Sequence, residues 1–117
     1  MATRIKFNNW IYKYFDFRKL SKKYSNVILV NSTSEVPDDA TSDIYLVGVD
    51  GYYKWVMFSC PDGCGIRVEA NLMKVRKPFW HMQLKRGKIT IRPSIIVENC
   101  GAHFWLEKNT CVWSLYE

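Results

Sequence analysis

The sequence has no apolar run approaching the roughly 20 residues that a membrane-spanning helix needs. Its longer apolar runs, such as Val27-Ile28-Leu29-Val30, are strand-sized. No internal repeat or low-complexity tract interrupts it, and no recognisable nucleic-acid-binding module accompanies its basic residues. Met1-Ala2-Thr3-Arg4-Ile5-Lys6 leads into a charged, aromatic segment with no apolar core or cleavage site, so a secretory leader is not expected and the cytoplasm is the expected compartment. Histidine is scarce, with only two residues in 117. A hydrolytic zinc centre built on several imidazoles is therefore poorly provided for.

What is present is one domain's worth of apolar residues. A 13.8 kDa chain that is 48% hydrophobic and 15% aromatic can build one real core and is too short for two, so residues 1–117 are read as a single domain. The formal charge of +6 gathers at Lys13, Arg18, Lys19, Lys22 and Lys23, and again at Lys74-Val75-Arg76-Lys77 and Lys85-Arg86-Gly87-Lys88. Such clusters are ordinarily solvated faces and turns. Nucleic acid stacked on Tyr12, Tyr14 and Trp80 is the partner they would otherwise suggest.

Trp10, Ile11, Tyr14, Phe15, Phe17 and Leu20 recur at helical spacing among lysines and arginines, which predicts an amphipathic helix over about 8–24. Val27 to Val30 reads as a short strand, and 31–43 as a polar loop. From Ile44 onward the pattern is β. Ile44 to Val49 and Tyr52 to Ser59 flank Asp50-Gly51, a strong hairpin signal, and Gly65 to Leu72 alternates apolar with polar. Phe79 to Lys85 and Lys88 to Arg92 flank Arg86-Gly87; Ser94 to Val97, His103 to Glu107 and Val112 to Tyr116 complete the series. The expected fold is mainly β, a small antiparallel sandwich or open barrel pinned by metal and capped by the N-terminal helix.

Chemistry concentrates in two tight pairs, Cys60 with Cys64 and Cys100 with His103. In Ser59-Cys60-Pro61-Asp62-Gly63-Cys64-Gly65 the proline presets a turn and the glycines let backbone amides approach sulfur, as a metal knuckle requires. Three thiolates and one imidazole suit tetrahedral Zn2+, and a disulfide across so short a loop would be strained. His103 is expected as fourth ligand. Cys111 is the alternative, although Val112 and Trp113 beside it suggest ordinary packing.

Tyr45-Leu46-Val47-Gly48, the Cys60-to-Gly65 knuckle, Trp80, Pro93-Ser94-Ile95, and Cys100-Gly101-Ala102-His103-Phe104-Trp105-Leu106 with Val112 and Trp113 together resemble a small bacterial family of unassigned function. Its members are encoded beside ubiquitin-like proteins and their activating- and conjugating-enzyme relatives. The chain departs from the family pattern at Asp62, where a third knuckle cysteine is common, at Ala102, where serine is common, and at Thr110, where a glycine turn is common. Asp62 could still reach a metal. The resemblance implies a zinc-stabilised protein that handles a ubiquitin-like modifier and meets its conjugating enzymes, either as a peptidase acting on the modifier's C-terminus or conjugates, or as a non-enzymatic adaptor. Two peptidase constructions are available: Ser94 as nucleophile with His81 or His103 as base, or a zinc-bound water with Glu98 or Glu69 as base. The candidate catalytic pair is Ser94 and His81, since a His103 bound to zinc through one ring nitrogen would be a poor base.

Overall fold

The computed structural model describes residues 21–39 and 41–114. Nine strands form two sheets: β1 (Lys22–Lys23), β2 (Val27–Val30), β3 (Ile44–Val49), β4 (Tyr52–Ser59), β5 (Arg67–Asn71), β6 (His81–Lys85), β7 (Lys88–Val97), β8 (Ala102–Glu107) and β9 (Thr110–Trp113). One sheet runs β1-β9-β8-β7-β6 and the other β2-β3-β4-β5. All pairings are antiparallel except β2 with β3. The two sheets face each other across one core, as expected of a sandwich.

Period-2 alternation decides which side chains enter that core. Leu46, Val56, Phe58, Val68 and Ala70 come from the smaller sheet, and Ile89, Ile91, Ile95, Phe104, Leu106 and Cys111 from the larger. Tyr24, Phe58, Phe104 and Trp113 form a chain of edge-to-face ring contacts from one sheet to the other, with centroids 5.4, 6.1 and 6.0 Å apart. The Tyr24 hydroxyl donates to the Ser59 carbonyl, which ties the segment after β1 to the end of β4. The 31–43 segment, expected as a polar loop, carries a single 3-10 turn at Thr33–Glu35. It buries Val36 against Tyr45, Val47 and Met57 on the back of the smaller sheet.

The turns explain why the strands meet where they do. Asp50-Gly51 and Arg86-Gly87 close two-residue hairpins, Val49 pairing with Tyr52 and Lys85 with Lys88. Arg86 and Gly87 both hold positive φ, the geometry that matches strand twist. Gly48 is required as glycine, because at φ 141° a Cβ would lie 2.5 Å from the Tyr52 carbonyl oxygen.

Three expectations differ from the fold. Most of the helix expected over 8–24 falls on residues 1–20, outside the described part, while Lys22 and Lys23 form a strand paired with Thr110 and Cys111. Lys88 to Arg92 and Ser94 to Val97 are one strand, because Pro93 sits where the β7–β8 register shifts and no ladder N–H is needed there. The last strand starts at Thr110, earlier than Val112, because Lys108 and Asn109 adopt positive φ and close a tight turn without glycine. Buried Asn109 supports that turn by accepting from the Ile89 amide at 2.7 Å. Among the described residues no helix is long and apolar enough to cross a membrane.

Candidate functional site

The hairpin β7–β8 carries two clusters, one on its outer face and one at its tip. On β7, Ile91 pairs with Leu106 and Ile95 with Phe104, so four steps on β7 oppose two on β8. This bulge holds Arg92, Pro93 and Ser94, and bulges commonly re-aim a side chain. Alternation sends Ile95 into the core and Ser94 to the outer face. On β8 the same alternation buries Ala102, Phe104 and Leu106 and turns His103 outward.

The outcome is a hydroxyl–imidazole contact: Ser94 Oγ lies 2.9 Å from His103 Nε2. Nucleophile and base in hydrogen-bond reach are the minimal requirement for an activated serine. If Nε2 accepts, the ring proton sits on Nδ1. Nδ1 is buried and has no hydrogen-bond partner among the described residues. Trp80 donates its indole N–H to the Ser94 carbonyl oxygen at 3.2 Å, steadying the backbone at Ser94. Next to the pair, the Arg92 guanidinium lies 5.4 Å over the Trp105 ring and 3.4 Å from Glu107.

His81, expected as the base, does not take that place. It is exposed at the start of β6, opposite Arg92, with its ring edge-on to Phe79 at 5.5 Å. His103 reaches Ser94 because it follows the bulge on the neighbouring strand and points to the same face.

The second cluster sits at the sandwich end, where β4 runs out at Cys60 and the β7–β8 turn presents Cys100. Cys60, Asp62, Cys64 and Cys100 bring their ligand atoms within 4.8 Å of one another. His103, expected as the fourth ligand, is not among them. The pleat sends it to the outer face, whereas Cys60 and Cys100 lie against the core. Asp62 stands in that place instead: its Oδ1 accepts from the Cys64 amide at 2.8 Å, so the carboxylate is turned into the knuckle. Cys111 is fully buried in the core and outside the cluster, as its apolar neighbours suggested.

The donor chemistry fits a metal ion. Cys60 Sγ and Cys100 Sγ are 3.7 Å apart and all four cysteines are free. Two thiolates about 2.3 Å from a tetrahedral ion would be about 3.8 Å from each other. Burial pushes the Cys60 thiol up, and the Asp62 carboxylate beside Cys64 pushes that thiol up. The Cys64 thiol, with Cys60 and Cys100, holds the Asp62 carboxyl well below its usual range. A bound cation would reverse the thiol shifts by replacing their protons.

Of the remaining expected residues, Glu69 lies on β5, 3.2 Å from Arg67, and Glu98 lies in the β7–β8 turn. Neither is among the clustered potential ligands. Trp80, offered as a stacking platform, is partly buried and engaged with Ser94; Tyr12 and Tyr14 lie outside the described residues. Sequence reasoning missed Trp80 as a support for Ser94. No local signal in the sequence pointed to that contact.

The described residues thus form a β sandwich with an outward Ser–His contact and a cysteine cluster at the tip of the same hairpin. The chain belongs to the BubE family, described as bacterial ubiquitination-like system serine protease, whose model matches residues 32–114. That match gives the resemblance read from Ile44 to Trp113 a ubiquitination-like context and a protease label. No curated protein and no solved structure matches the chain.

Proposed function

We propose that this protein hydrolyses a peptide or isopeptide bond at the C-terminus of a ubiquitin-like protein, with Ser94 as nucleophile and His103 as base. The observation that carries the proposal is the 2.9 Å contact between Ser94 Oγ and His103 Nε2, in a chain whose family bears a serine protease description. Ser94 Oγ adds to the scissile carbonyl carbon as Nε2 takes the hydroxyl proton. The imidazolium then returns that proton to the leaving amine as the C–N bond breaks, leaving an ester on Ser94. Water, deprotonated by Nε2, splits the ester, and the proton returns to Ser94 Oγ.

Cys60, Cys64, Cys100 and Asp62 would hold one Zn2+, which the thiolate-rich set favours over harder ions. Its contribution there is structural, since three thiolates and a carboxylate complete a tetrahedral shell. It would pin the end of β4 to the turn that joins the strands bearing Ser94 and His103.

Mass spectrometry of a C-terminally extended ubiquitin-like protein from a bacterial ubiquitination-like system, incubated with the purified chain, tests the reading. Cleavage is expected for wild type and is absent in Ser94→Ala with fold and metal intact. Binding without cleavage by wild type would replace the peptidase with an adaptor.

A further inference from the structure

Strand β7 is longer than the strand that covers it. β6 pairs with Lys88 to Arg92 and begins at His81, opposite Arg92, so the second half of β7 has no strand on that side among the described residues. The chain before β6 is drawn away. Asn71 donates from Nδ2 to the carbonyls of Met73, Arg76 and Pro78 and accepts from the Met73 amide, which gathers 73–78 into a compact loop beside β5.

The register tells which backbone groups face the gap. The His103 carbonyl accepts from Ser114, on the β9 side, so Phe104 and Ala102 turn their amide and carbonyl toward β7. They meet Ile95 and Val97. Ser94 and Ile96 therefore present N–H and C=O to the opposite side. The Ser94 carbonyl takes the Trp80 indole there, while Ile96 has no partner for its backbone groups among the described residues. Its side chain, on the same outer face as Ser94, is 59% exposed. An edge left uncovered by the described residues and bearing an exposed apolar residue is a template for another strand, and folded proteins ordinarily block such edges.

We propose that the substrate's extended C-terminal tail binds as an added strand along this edge, hydrogen-bonded to the N–H and C=O of Ile96, and so lays its scissile bond beside Ser94. The inference rests on the peptidase reading. The occupant is a peptide in extended form because the edge offers one donor and one acceptor at strand spacing and runs through the nucleophile. A second copy of this chain pairing through the same edge would bury Ser94, and concentration-dependent inhibition of the enzyme would reveal it in the same assays.

The test is an N-methyl scan of a short fluorogenic peptide carrying the cleaved tail, with wild-type protein. Methylation of amides facing the edge is expected to lower kcat/KM by about tenfold or more, and methylation of the intervening amides to be tolerated. Ile96→Pro, which removes the edge N–H while leaving the β8 ladder intact, should lose cleavage to a similar degree yet still be labelled on Ser94 by a fluorophosphonate. Cleavage with a profile that does not alternate, inhibition that rises with enzyme concentration, or full activity in Ile96→Pro, would overturn the inference and leave the peptidase standing. Wild type that is neither labelled nor active would overturn both.

Discussion

Removing the metal should destabilise the protein by an amount the topology sets. Cys60 and Cys100 are 40 positions apart and adjoin strands of different sheets, so an ion shared between them closes a long loop across the sandwich. Treated as a cross-link, a loop of that length removes about 4 kcal/mol of chain entropy from the unfolded state at 25 °C. For a domain of this size such a loss lowers the melting temperature by about 15–30 °C. Differential scanning fluorimetry with and without a strong chelator, alongside elemental analysis, measures both quantities. Cys60→Ala and Cys100→Ala should behave as the chelated protein does, and Asp62→Ala should bind the ion more weakly. His103→Ala should keep a full equivalent of zinc, because its ring is at Ser94 and not at the knuckle. A chelated protein melting within about 5 °C of the untreated one would refute the bracing role, and loss of zinc in His103→Ala would refute the ligand set.

Cys111 should be inert in the folded state: burial pushes its thiol up to about 12, so at pH 8 it stays protonated, and iodoacetamide should reach it only as the protein unfolds, whereas exposed Cys64, its thiol also pushed up by Asp62, should react slowly but without unfolding when no metal is bound. The raised value also makes folding favour the protonated thiol over the ordinary 9.0. Stability from this group is thus full below pH 9 and is lost as pH rises from there to about 12, with Tyr24, also pushed up by burial, acting in the same direction. A melting temperature flat across that range would contradict the burial. Asn71→Ala leaves three carbonyls and an amide of the 73–78 loop without their partner and should cost about 1–3 kcal/mol, with limited proteolysis after Lys74 or Arg76 as the readout; an equally resistant loop would show that Asn71 does not hold it.

The succession of β segments over residues 44–107, apart from the division of β7, was legible because alternation and glycine turns are local signals. The facing ends of Ile44–Val49 and Tyr52–Ser59 could be placed from the Asp-Gly turn alone. Lys108-Asn109 was harder, because a left-handed turn without glycine depends on Asn109 finding the Ile89 amide 20 positions away. Three of the four residues of the Cys60, Asp62, Cys64 and Cys100 cluster were legible as potential metal ligands. His103 was misplaced because spacing from Cys100 suggests convergence, whereas the pleat of β8 allows Ala102 and Phe104 the core and sends the residue between them outward. Ser94 was read from the Pro-Ser pair. His103 and His81 were both open as its partner, and the contact with His103 depends on the bulge in β7 that brings Ser94 level with β8, an effect of pairing register that no single segment encodes.

Fluorophosphonate labelling read by intact mass and peptide mapping puts the central claim to its most direct test, because it reports an activated serine whatever the natural substrate. The account predicts one phosphonyl adduct per chain, located on Ser94, formed by wild type and Cys111→Ala, and slowed about 100-fold or more in His103→Ala, in line with the contribution of a general base. Labelling at another serine, or labelling of Ser94 that proceeds equally fast without His103, would contradict it.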